Sequence, residues 1–183
     1  VSMYAGVPKL SSNEAKLQNT EAAVIALKTR TIPIKEAITE SLKALNWLRD
    51  AGCKQFIFKY CSTFDSTKEG NIGPVTDAIM EELDTNFTIA CPSFPDAGRT
   101  VYYGHMFVNG APLNESGMEN HPLTPMTDHN LVRWLNFQTK SKVGLINIET
   151  IKNGSEAINE KIADLKDQGF KYAIVDTTSN NDF

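Results

Sequence analysis

The sequence predicts an α/β domain: a mainly parallel sheet flanked by helices, with a β-hairpin inserted into it. Three observations predict it. Short apolar runs alternate with stretches of helical periodicity, the pattern of successive βαβ units. The runs are continuous, which suits strands covered on both faces. One segment, around Asn109-Gly110, interrupts the alternation with a hairpin signature.

The elements follow in chain order. Val1 to Pro8 reads as the tail of a strand entering a turn. Ala22 to Leu27 is a continuous apolar run, expected to be a strand buried on both faces. After Pro33, Ile34, Ile38, Leu42, Leu45 and Leu48 recur at helical spacing, and Ala51-Gly52 ends that helix. Phe56 to Phe58 is read as the next short strand. Its loop runs to Pro74, which suits the first turn of a helix with Val75, Ile79 and Leu83 inward. Phe87 to Cys91 is a further strand. Val101 to Val108 and Ala111 to Leu113 form the hairpin around Asn109-Gly110, an excursion from the sheet. Thr127-Asp128 is expected to cap a helix carrying Leu131, Val132 and Leu135. Val143 to Ile148 is a strand, Ser155 caps a helix carrying Ile158, Ile162 and Leu165, and Gly169 closes it. Tyr172 to Val175 is the last strand. Together these describe a Rossmann-like three-layer arrangement, in which ligands sit at the carboxyl ends of the strands.

Composition narrows the function. With 183 residues, 41% hydrophobic and 22% charged, the chain can hold one domain with a real core. The net charge is -4 and Lys and Arg are scattered among acids, so no nucleic-acid partner is expected. Cys53, Cys61 and Cys91 are odd in number and form no CxxC pair. That argues against a disulfide framework or a zinc site and suits the reduced thiols of a cytoplasmic protein. His105, His121 and His129 lack metal-ligand spacing, and no metal ligand is assigned. No apolar run approaches the ~20 residues of a membrane span, and no signal peptide is visible. Both ends look cut, so a domain excised from a longer chain is expected.

The loops after the strands carry the chemistry. Lys28-Thr29-Arg30-Thr31 sets two cations and two hydroxyls at a strand's carboxyl end; Arg30 suits a carboxylate, and the alternative is a solvated strand end. The richest loop is Lys59 to Pro74. Ser62, Asp65, Ser66, Thr67 and Asn71 supply mixed donors and acceptors before a helix N-terminus, where an anion is favoured. Ser62, Asp65 and Ser66 could equally be turn and capping residues. Gly98-Arg99 offers a cation beside a flexible point. His105 is read as structural or functional with equal weight. The Walker spacing, a GxGxxG and a Gly-x-Ser-x-Gly elbow are all absent. Lys59 is the only obvious activator of Cys61.

Four stretches carry a resemblance. LKTRTIP at 27–33, FKYCSTFDSTKEGNIGPVTDA at 58–78, CPSFPDAGRTVYYGHMFVNG at 91–110 and ESGMENHPLTPMTDHNLVRWL at 115–135 resemble the four-carbon acid sugar kinases, within them the 3-oxo-tetronate kinases. The resemblance implies an amino-terminal acid-sugar-binding domain over 1–183, followed in the parent by a carboxyl-terminal ATP domain. It implies phosphorylation of the C4 hydroxyl of a 3-oxo-tetronate by ATP with Mg2+. The family's first strand and its Asp-Asp-x-Thr-Gly-Ala motif are expected before Val1, and the ATP domain after Phe183. The fragment alone is expected to be inactive. Substrate contacts are expected from Lys28, Arg30, Lys59, Ser62, Asp65, Ser66, Thr67, Asn71, Gly98 and Arg99, with Asp65 as a candidate base. A homodimer is among the expected assemblies. A non-catalytic sugar-acid binding or regulatory module, or an oligomerisation scaffold, are the alternative functions.

Overall fold

The computed structural model describes residues 1–9 and 20–183. Two parallel sheets form its frame. β1 (Ser2–Ala5) pairs with β2 (Ala23–Ala26), Ser2 opposite Ala23. β3 (Thr88–Ala90), β7 (Lys142–Ile146) and β8 (Phe170–Val175) form the second, in the order β3-β8-β7. Between β3 and β7 in sequence, β4 (Arg99–Tyr102), β5 (His105–Val108) and β6 (Ala111–Pro112) make an antiparallel meander. The helices are α1 (Ile34–Asp50), α2 (Ile72–Glu82), α3 (Leu131–Asn136), α4 (Ile148–Lys152) and α5 (Gly154–Asp167). None is long and apolar enough to cross a membrane among the described residues.

Most elements sit where the periodicity puts them, and five details differ. First, β2 is open on one face. Tyr4 and its register partner Ile25 face inward, with the Tyr4 ring 5.2 Å from Trp47 of α1, whereas Met3 and Val24 are 75% and 44% exposed. Second, Phe56 to Phe58 joins no ladder. The apolar run was too short to establish pairing, and its flank borders a cavity instead of a neighbouring strand.

Third, the hairpin is a three-stranded meander. Its first turn is Tyr103-Gly104, with φ of 48° and 76°, and Asn109-Gly110 makes the second. Tyr103 is a poor residue for a positive φ. The turn is held by Asp176, whose buried carboxylate accepts the amides of Tyr103, Gly104 and Ile148. Burial pushes that carboxyl up from its ordinary range, and the three N–H donors work against it. The meander leaves the parallel sheet as a separate antiparallel one, as expected, but packs back on it: Val101, Met106 and Leu113 lie in the core with Trp134, Tyr172 and Ile174.

Fourth, the caps lie elsewhere. Asn130, not Thr127-Asp128, caps α3 by accepting the Arg133 amide. Asp128 binds the Arg133 guanidinium instead, at 2.6 and 2.7 Å. Asn153, not Ser155, precedes α5. Fifth, β7 ends at Ile146, because Asn147 accepts the Thr150 amide and starts α4; Ile148 is buried in that helix, not in the strand.

Candidate functional site

A cavity of about 1080 Å³ opens where the chain leaves β2 and β3. Its walls are Leu27, Thr29 and Arg30 beyond β2, the segment from Gln55 to Ser62, and Thr88 to Phe94 around β3. Leu135 and Tyr172 close it from the core side. It runs alongside the whole of β3 and reaches the carboxyl ends of β2 and β3, the ends at which α/β sheets bind ligands.

The charged centre is the pair Arg30–Asp65. Arg30 reaches across 35 positions to place Nη1 2.9 Å from Asp65 Oδ2. The Asp65 side chain is 5% exposed and that of Arg30 51%, so one partner is buried and the other half open. Thr63 donates its hydroxyl to the other Asp65 oxygen, which leaves the Thr63 oxygen to accept from the Cys61 thiol at 3.1 Å. A short polar chain thus runs from the cavity wall to the ion pair. The Lys59 amine turns onto the Tyr60 carbonyl, and burial pushes the Tyr60 phenol well above its ordinary range, keeping it neutral.

The predicted residues divide into two groups. Arg30, Lys59, Ser62, Asp65 and Asn71 line the cavity together. Lys28, Ser66, Thr67, Gly98 and Arg99 do not. Ser66 is fully committed inside the protein. Its hydroxyl donates to the Phe64 carbonyl and accepts from Trp134 Nε1 at 3.0 Å and Gln138 Nε2 at 2.9 Å. The Thr67 carbonyl takes a second bond from Gln138. Arg99 turns back onto the Ala97 carbonyl. Hydrogen bonds to Trp134 and Gln138 hold Ser66 and Thr67 in the protein, and loop order in the sequence does not reveal them.

Other polar residues escaped the sequence reading. Gln138 braces the loop from a position about seventy residues downstream, accepting the Gly73 amide at 3.1 Å while donating to Ser66 and Thr67. Nothing local marks it. Cys91 and Ser93 line the cavity too, in a loop read only for its glycine and arginine. Away from the cavity, the His105 and His129 rings lie 4.7 Å apart and nearly perpendicular. Both Nδ1 atoms are buried without a partner.

Among the described residues no group of three His, Cys, Asp or Glu side chains is placed to hold a metal ion. Asp65, the one carboxylate of the cavity, is already paired with Arg30.

Known proteins resemble the chain over nearly its whole length. Residues 3–183 match the family described as the sugar-binding N-terminal domain. The 3-oxo-tetronate kinase of Cupriavidus necator is 54% identical over 177 residues, covering 97% of this chain and 41% of that protein. The 3-oxo-tetronate kinase of Burkholderia multivorans is 55% identical over 177 residues, with 97% and 40% covered. A crystal structure of a Haemophilus influenzae protein superposes with a TM-score of 0.94 at 48% identity, over 98% of this chain and 43% of that one. The chain spans about two fifths of the length of the curated relatives it matches.

Proposed function

The chain belongs to the family of sugar-binding N-terminal domains, and from that premise we propose that it is the substrate-binding part of an ATP-dependent kinase acting on the C4 hydroxyl of a 3-oxo-tetronate. The observation that carries the proposal is the Arg30–Asp65 pair, half open and half buried, at the mouth of a cavity on the strand ends. The names of the relatives supply the substrate class.

Each residue has a part. Arg30 donates one N–H to Asp65 and keeps the rest of its planar fork for a second carboxylate, that of the sugar acid. Lys59 adds a second positive charge at the wall. The Ser62 hydroxyl serves the ligand's hydroxyl or oxo group. Asp65 holds Arg30 in place, and an ionised carboxylate has about four lone-pair directions, so it can still accept a proton from a ligand hydroxyl. ATP with Mg2+ supplies the phosphoryl group from outside this chain, and the work left to the domain is positioning and charge.

The first experiment is Arg30→Ala in the full-length protein that carries this domain. KM for the sugar acid rises by about tenfold or more while KM for ATP stays put, since the loss is of a charge-assisted contact. An unchanged KM and kcat would sink the assignment. Calorimetry on the isolated chain completes it: a four-carbon sugar acid binds without ATP, and no turnover occurs.

A further inference from the structure

The sequence puts Asn71 among the groups that touch the ligand, and its position suits a helix cap. The structure gives it neither use as a donor. Asn71 stands at the start of α2, but its side chain makes no capping bond to that helix. It is buried, at 6% exposure, and its amide nitrogen points the other way. Nδ2 donates to the Thr29 carbonyl at 2.7 Å and to the Ile32 carbonyl at 2.8 Å, with the Arg30 carbonyl at 3.4 Å. Two N–H groups on one nitrogen thus bracket the residue that carries the guanidinium.

We infer that Asn71 is a positioning residue: a buried amide clamp that fixes the backbone on both sides of Arg30, so that the guanidinium faces the sugar acid. The inference rests on the reading of the cavity as the sugar-acid site. Its physical basis is length. A side chain as long and flexible as arginine holds one geometry only when its root is fixed and its tip is paired. Asp65 pairs the tip, and Asn71 fixes the root across about forty residues of sequence. Only an amide serves both carbonyls. A carboxylate has no N–H to give, and a hydroxyl has one donor for two acceptors. The clamp also ties the turn after β2 to the start of α2, so the two loops that form the cavity wall move as one. Functional groups held this way depend on their support as much as on their own chemistry.

The test uses the full-length protein with a four-carbon sugar acid and ATP. Arg30→Ala is made first; if it leaves KM for the sugar acid unchanged, the reading of the cavity fails and the clamp is not at issue. With that established, Asn71→Ala is expected to raise KM for the sugar acid about tenfold or more, leaving KM for ATP unchanged. Asn71→Gln, which keeps the amide on a longer stem, falls between. The decisive measurement is the double variant Arg30→Ala/Asn71→Ala. A residue that acts only through Arg30 adds nothing once Arg30 is gone, so kcat/KM equals that of Arg30→Ala alone. If the two losses multiply, or if Asn71→Ala changes nothing, the inference is overturned. It is overturned too if neither Asn71 variant folds, because the amide is then a determinant of the fold and not of the guanidinium.

Discussion

At the scale of single residues, the loop from Lys59 to Pro74 separates into groups that line the cavity and groups that face the protein. Ser66 illustrates the difference. Its sequence context offers a hydroxyl for a sugar, yet Trp134 and Gln138 already donate to it and Phe64 accepts from it. Ser66→Ala leaves the Trp134 indole N–H without its acceptor in the core, and urea denaturation should register a loss of about 1–3 kcal/mol. Hydroxyl, amide and carboxylate were legible in the sequence; their partners were not, because those lie from 35 to 72 positions away. His105 gives a second prediction. Burial, then the neighbouring His129, holds its imidazolium below the ordinary value of 6.5; Arg133 adds to this, and Asp128 and Asp176 oppose it. The unfolded chain therefore takes up the proton first. Stability falls as pH drops below 6.5 and levels off beneath the folded value. Denaturation curves across pH 7.5 to about 5 should show this slope, and His105→Gln should flatten it.

At the scale of elements, the apolar pattern located all five parallel strands and the helices α1, α2, α3 and α5, while the short α4 escaped it because five residues carry too little periodicity. Phe56 to Phe58 failed because a strand is a relation between two backbones, and three apolar residues say nothing of the second. The turn at Tyr103-Gly104 failed for a different reason: its stabilising carboxylate, Asp176, comes from another part of the chain. The junction of α2 with α3 is equally invisible locally. A Cβ on Gly73 would lie 2.5 Å from the Gln138 carbonyl oxygen, a backbone atom that cannot rotate away. Gly73→Ala should cost about 1–3 kcal/mol by overpacking. It should also lengthen the Gly73–Gln138 bond that braces the loop, which a lower melting temperature together with weaker sugar-acid binding would reveal.

At the scale of the whole molecule, the two parallel sheets are covered unevenly. Met3 and Val24 present apolar groups to solvent on one face of the β1–β2 pair, while α1 covers the other. Parallel strands are ordinarily buried on both faces. The isolated chain should bind an apolar fluorescent dye through this patch. Val24→Lys should reduce that binding while changing folding stability by less than about 0.5 kcal/mol, since no packed partner is lost. The cavity has a further consequence, in its balance of charge. Its lining holds two cations, Arg30 and Lys59, and one anion, Asp65, an excess of a single positive charge. A guest with one carboxylate brings that excess to zero. A guest that has also gained a phosphate carries about two more negative charges, and overshoots neutrality in a place partly shielded from water. On the function proposed above, the lining that suits the acid is mismatched to its phosphorylated form, and the phosphoryl transfer would itself favour release of the product.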